Sequence, residues 1–525
     1  MLWAAWADAV GFISELTDES GLRHRTHGNE LDGTLDWRRR IGGKYGVHAD
    51  LPAGTYSDDT QLRLATARCI SSSGFDVEAF ARIELPVWPA YALGGGRASR
   101  AAATSMTKAN ATWYANFYDG WTTAGGNGAA MRIQPHVWAD GFHDTYISAV
   151  IRDATVTHGH PRALLGAVLH AIALSYSLRE STTPTPRTWI DLLAAARRAV
   201  RFFRQDTDLW TIWVPAWEHH EQRSFDDAWN QAADECDALL DIAGRFVAHT
   251  PPTSDTYQTL VDQMGLRDPK TLGSGTGTVI AALALAAAFP TDPRAATLLA
   301  AHTLGTDTDT IATMAAALIA AAHPQPLPSP VQDEVYLRAT AARLAAVALG
   351  EHVRPFAHPD ILRWKPPTSQ LDTVGLADGT PAISGLGWID HTRQVYPSRD
   401  SVWSWVHSSF GASFLIKHRN ELRELPTGNW PIPQTELSDA ASRPVAAQPV
   451  PLDLFPVSTV IPDADSDEDV RHTGVTDDLD EIRSLRRDAR DDDTLGRLVR
   501  EAALRGNRDE LALLIGAIWS HYSAP

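Results

Sequence analysis

The chain has 525 residues, 44% of them hydrophobic, with 64 acidic against 46 basic side chains and a formal net charge of −18. That length predicts roughly three structural units, and the negative charge argues against nonspecific binding of nucleic acid or of an anionic membrane. Two cysteines, Cys69 and Cys236, provide neither a disulfide framework nor a cysteine metal site and suit a reducing, cytoplasmic setting.

In chain order, "MLWAAWADAVGFISEL" opens an apolar helix; it lacks a basic start and carries Asp8 and Glu15, so it is a poor secretory signal. "GTYSDDTQL" at 54 to 62 then sets Asp58 and Asp59 side by side at a helix mouth. A helix start favours oxygen-bearing and acidic side chains, because its first N–H groups lack partners, but one such residue is enough. In the following "TQLRLATARCI", Leu62, Ala65 and Cys69 keep the spacing of a core-facing stripe, and "RALLGAVLHAIALSY" and "VYLRATAARLAAVAL" behave alike. "VIAALALAAAF" at 279 to 289 is too short to span a bilayer and reads as a buried helix ended by Pro290. Residues 1–352 therefore read as a compact all-α, multi-helix domain. From 353 to 438 the chain is rich in Pro and Trp, and "SVWSWV" and "ASFLIKH" read as short strands of a small mixed or β module. Residues 439–477 have the acid and Pro content of a linker. Residues 478–525 read as a helical hairpin, with Leu495, Leu498, Val499 and Ala502 on one helix and Leu511, Leu514, Ile515 and Ile518 on the other.

The acidic helix start recurs. "GTDTDT" at 305 to 310 also leads into an apolar helix, "IATMAAALIAAA". Asp307 and Asp309 would point about 200° apart on a regular helix, yet converge in a turn entering one. Oxygen-only clusters suit hard cations such as Mg²⁺, whereas zinc sites need His or Cys. Four carboxylates carry −4, which two divalent ions cancel if the two segments meet. His158 and His160 of "THGHP" have no further zinc ligands in view, and "WEHHEQR" at 217 to 223 reads as a solvated helical turn.

Taken in order, "WADAVGFISE" at 6 to 15, "SDDT" at 57 to 60, "GGNGAAMR" at 125 to 132, "THGHP" at 157 to 161 and "DTDT" at 307 to 310 resemble the motifs of the ADP-ribosylglycohydrolase family. The resemblance covers about residues 1 to 350. It implies an all-α hydrolase with two Mg²⁺ ions, Mn²⁺ being the alternative, that releases ADP-ribose from an ADP-ribosylated protein or other ADP-ribosyl conjugate. It assigns Ser57, Asp58, Asp59, Asp307, Asp309 and Thr310 to the metals and Glu15 to the scissile bond. Gly126, Asn127 and Gly128 would meet the distal ribose and diphosphate, His158 the phosphates, and Gly273 and Gly275 of "LGSGTG" a second ligand loop. The chain departs from the family's pattern at Ala7, at Ile13 and Ser14, and at Gly305-Thr306, none of which removes an oxygen ligand. Breaking a bond at a ribose anomeric carbon passes through an oxocarbenium-like state, which a nearby carboxylate such as Glu15 stabilises. Two other readings fit the same residues: a catalytically idle ADP-ribose-binding adaptor, and a different metal-dependent hydrolase that cleaves phosphoesters. The C-terminal extension is expected to recognise the macromolecular substrate or a protein partner.

Overall fold

The structure, a computed structural model, describes residues 1–43, 46–143, 145–248, 252–399 and 401–434, all within one compact unit, Met1–Val445. The expected linker (439–477) and helical hairpin (478–525) lie outside the described residues. The principal helices used below are α1 (Leu2–Ser14), α2 (Asp58–Arg68), α3 (Arg97–Ser105), α4 (Tyr146–Thr157), α5 (Pro161–Glu180), α6 (Gly275–Ala288), α7 (Thr308–Ala322) and α8 (Glu334–Ala348).

Helix α1 is apolar all round, and such a helix belongs in the middle of a bundle. Every side chain from Trp3 to Ser14 is buried. It lies directly on α7: a Cβ on Gly11 would fall 2.5 Å from the Asp309 Cα, so only glycine permits the crossing. Thr308 Oγ1 donates to the Gly11 carbonyl (2.8 Å) and Thr313 Oγ1 to that of Ala4 (2.6 Å). Helix α5 is long and apolar enough to cross a membrane, but 83% of its apolar window is buried inside the protein, so it serves as a core helix.

Two expectations change. Helix α2 is not a one-sided stripe; all of Asp58–Arg68 is buried. Its polar face can be inside because Arg63 is fully bonded, donating to Gln134 Oε1 (2.9 Å), Thr60 Oγ1 (3.0 Å), Met131 O (3.0 Å) and Thr313 Oγ1 (2.8 Å). The helical part is also not purely α, since β1 (Trp37–Ile41) and β2 (Val47–Leu51) form an antiparallel hairpin.

The Trp- and Pro-rich segment forms a five-stranded antiparallel meander, β3 (Val374–Ala377), β4 (Thr380–Ile383), β5 (Gly387–Pro397), β6 (Val402–Ser408) and β7 (Ser413–His418), in that spatial order. "SVWSWV" and "ASFLIKH" supply β6 and β7. Register shifts along β5 and β6 bend the sheet, as bulges do. The sheet shares one hydrophobic core with the helices: Trp403, Trp405, Phe410, Phe414, Leu415 and Ile416 join the cluster that holds α1 and α7. The Phe414 ring lies 4.5 Å from that of Tyr91. An ion-pair network ties the same regions. Burial by itself raises the Glu84 carboxyl, but Arg68 (2.7 Å) and His358 (3.0 Å) outweigh it and hold Glu84 at about 2. Removing one partner of a buried pair like Arg68–Glu84 costs about 3–5 kcal/mol.

Candidate active site

The two adjacent acids of "SDDT" are freed by a third. Ser57 is the N-cap of α2, and its Oγ accepts from Asp59 N (3.2 Å). Asp8, fully buried in α1, accepts from Ser57 N (2.9 Å) through Oδ1, and from Thr60 N (2.9 Å) and Thr60 Oγ1 (2.5 Å) through Oδ2. The open N–H groups of the helix start are thus satisfied by Ser57 and Asp8, not by Asp58 or Asp59. The latter two line a cleft instead.

That cleft, of about 610 Å³, also receives Glu15, Asp307, Asp309 and Thr310. The two acidic helix starts, 250 residues apart in sequence, therefore meet. Asp307 caps α7 without a side-chain capping bond, and its Oδ2 accepts from Asn127 Nδ2 (2.8 Å). Thr310 N donates to Asp309 Oδ1 (2.9 Å). Glu15 sits at the C-terminal end of α1, where Arg39 Nη1 donates to its Oε2 (3.1 Å). Of the residues assigned to metal by resemblance, Ser57 does not line the cleft; it lies behind the acids as their cap.

Crowding shows in the titration. Burial, then the charges of Glu15 and Asp8, push Asp58 up to about 8, against 3.8 for a free aspartate. Burial followed by neighbouring acids raises Asp59 and Asp309 well above the carboxylate range. Glu15 is raised by burial despite Arg39, and Asp8 by burial despite its hydrogen bonds. One oxygen, Asp59 Oδ2, is buried without any hydrogen-bond partner. Such an orphan carries a desolvation cost of about 1–3 kcal/mol or more. Oxygen donors that raise one another's proton affinity, one of them orphaned, fit a hard cation as the neutralising partner. The more compact triad of Cys69, Glu84 and His358, with ligand atoms within 4.8 Å, is by contrast already neutralised by Arg68.

The rest of the cleft is backbone-rich. The loop of Gly126, Asn127 and Gly128 pairs with the loop of Gly273 and Ser274: Asn127 N donates to Gly273 O (2.8 Å) and Gly275 N to Gly125 O (2.9 Å). Arg132, the last residue of "GGNGAAMR", holds this loop through Gly128 O (2.6 Å) while pairing with buried Asp153 (2.7 Å). Gly126, Asn127, Gly128, His158 and Gly273 line the cleft; Gly275 does not. A Cβ on Gly275 would fall 2.7 Å from Ala163 Cα, so this glycine serves the contact between α6 and α5. Burial, then Arg132, depresses His158 to about 3, leaving a neutral ring that shares a hydrogen bond with Thr157 Oγ1 (2.8 Å). His160 caps α5, its Nδ1 accepting from Arg162 N (3.1 Å).

Sequence reasoning passed over three contributors. Asp8 was visible as a lone acid in an apolar helix, and Arg39 gave no signal. Gly94, Gly95 and Gly96, with Arg97 and Ser99, line the cleft at the start of α3. "GGGR" before a helix is readable as a backbone anion cradle, because free N–H groups point out of the helix start. Gly94 is required for a different reason: at φ +132°, its Cβ would fall 2.2 Å from Asp58 Oδ1.

A helical core thus carries an acid-lined cleft walled by paired glycine loops and a helix N-terminus. The family model described as ADP-ribosylglycohydrolase matches residues 1–355. The chain belongs to that family, whose members are glycohydrolases of ADP-ribosyl compounds. A solved structure titled "ADP-ribosylglycohydrolase-related protein complex" is similar at 21% identity, covering 66% of this chain and 97% of that one, with a TM-score of 0.41.

Proposed function

We propose that this protein is a cytoplasmic, Mg²⁺-dependent hydrolase that cleaves the glycosidic bond of an ADP-ribosylated protein or small ADP-ribosyl conjugate and releases ADP-ribose. The observation that carries the reading is the convergence of Asp58, Asp59, Asp307 and Asp309 beside Glu15 in one cleft, with Asp59 Oδ2 unpartnered. These four acids and Thr310 would hold two Mg²⁺ ions, or Mn²⁺, and Ser57 would act on them through its cap. Such ions would supply positive charge and a template for vicinal ribose hydroxyls and a water.

The chain's own residues do the remaining work. Asn127, fixed by Asp307 and by Thr278 Oγ1 (3.1 Å), orients the ribose side of the ligand, and the backbone of Gly126 and Gly128 meets the diphosphate. His158, neutral at physiological pH, contributes a hydrogen bond rather than a charge. The Glu15 carboxylate stabilises the developing cationic sugar or takes a proton from the attacking water. The acceptor carrying ADP-ribose would be arginine, serine, a nucleobase or a small molecule. A panel of such conjugates assayed with Mg²⁺ and with EDTA tests the proposal. Release of free ADP-ribose from at least one conjugate, lost in EDTA, is expected; binding of ADP-ribose with no release from any conjugate sinks it.

A further inference from the structure

The carbonyls of Ile13 and Glu15 at the end of α1 both accept from Arg25 Nη1 (2.8 Å), which holds the backbone there but not the Glu15 carboxylate. The chain leaves α1 there and turns through Leu16, which is exposed and takes the left-handed φ of +49°. What fixes the side chain comes from the hairpin. Arg39 reaches from β1 to Glu15 Oε2 (3.1 Å), and its guanidinium covers the Phe12 ring at 4.6 Å. Trp37, also on β1, packs edge-on against Phe12 at 5.2 Å.

The hairpin in turn rests on the C-terminal sheet. Arg38 and Arg39 pair in register with Asp50 and Ala49 of β2. Asp50 is held on both sides of its peptide: its N–H donates to Tyr396 Oη (3.0 Å) and its carbonyl accepts from Trp405 Nε1 (3.0 Å). At the hairpin turn a Cβ on Gly42 would lie 2.9 Å from the Trp403 ring, so the turn is seated on β6 as well. A second line reaches the metal-motif loop. Asp333 Oδ2 accepts from Ser413 N of β7 (2.7 Å) and from Tyr56 Oη (3.0 Å), one residue before Ser57.

We infer that the C-terminal sheet is a positioning element for the cleft: through the β1–β2 hairpin it fixes Arg39, and Arg39 fixes the Glu15 carboxylate. Arg39 is a positioning residue, acting on Glu15 and not on the ligand. The inference rests on the hydrolase reading for Glu15 and deepens it, giving residues beyond 352 a share in turnover that acts through Arg39. A misplacement of about 1 Å at a reacting group can cost on the order of a hundredfold in rate, so even a loosened hairpin has a kinetic signature.

The test uses the full chain with ADP-ribosyl-arginine and the other conjugates as substrates. Arg39→Ala is expected to lower kcat by about tenfold or more while KM moves less than about threefold, and Arg39→Lys to recover most of the loss. Tyr396→Phe, far from the cleft, is expected to lower kcat by about two- to threefold with the same split. Its effect should vanish in the Arg39→Ala background, because both act on one carboxylate. Hydrogen exchange gives a readout independent of turnover: Tyr396→Phe should speed exchange across 38–50 and at 14–17, and leave α7 unchanged. Unchanged kcat in Arg39→Ala, or exchange at 14–17 unmoved in both variants, overturns the inference. A wild type that releases ADP-ribose from no conjugate sinks the hydrolase reading alone, and the exchange pattern still decides whether the sheet holds the Glu15 segment.

Discussion

The helix starts at 57–60 and at 307–310 look alike in sequence and are used differently. At the first, capping is done by Ser57 and by Asp8 from another helix, so Asp58 and Asp59 are both released to the cleft. At the second no side chain caps the helix, and Asp307 is instead engaged by Asn127 of the ligand loop. The first start is thus anchored to the protein and the second to the wall where substrate would lie. A recurring motif reports shared chemistry; its neighbours decide how each copy is held.

Four changes probe that contrast. The largest effect is expected from Asp59→Asn, which removes charge at the orphaned oxygen: ADP-ribose release should be lost and Mg²⁺ binding by calorimetry weakened, with helical circular dichroism intact. Retained turnover and metal uptake would break the idea that the first start supplies metal ligands. Next is pH in the metal-free protein. Asp58 is raised in the folded state, so its contribution is present below its unfolded value of about 3.8 and is lost as pH rises through about 8. The melting temperature in EDTA should therefore fall between pH 5 and pH 8, and Mg²⁺ should restore it at pH 8. A flat profile would mean that neither burial nor the neighbouring acids shift Asp58. Asn127→Ala comes third. It should raise KM and lower kcat by about tenfold in all, leaving Mg²⁺ affinity nearly unchanged, if the second start faces substrate. Ser57→Ala should be mildest, costing about 1 kcal/mol of stability as a lost N-cap with little change in metal affinity. A large calorimetric loss there would make Ser57 a direct ligand.

Much of this was legible in the chain itself. The apolar helices, the late strands and the paired acids are local patterns, each encoded within a dozen residues. The hairpin was not legible, because β1 reads "WRRRI" and shows only its end residues, Trp37 and Ile41, to the core. Arg39 is meaningful only beside Glu15, across a turn that no periodicity announces. The burial of α2 on every side was hidden for a related reason: a charged Arg63 signals surface until its four partners, three of them on two distant segments, are known. Gly275 illustrates the reverse case, a glycine in a ligand-like motif whose smallness serves helix packing.

The crossing of α1 and α7 at Gly11 bears on how the molecule is made. Helix α1 leaves the ribosome some three hundred residues before its partners Thr308, Thr313 and Ser329. At roughly 5–20 residues per second that is a wait on the order of 15 seconds to a minute, with Trp3, Trp6 and Phe12 unburied. The sheet that completes the same core arrives later still. The newborn helix α1 is therefore a long-lived apolar segment of the kind chaperones hold, and the cleft cannot assemble until its last lining residue, Thr310, has been synthesised.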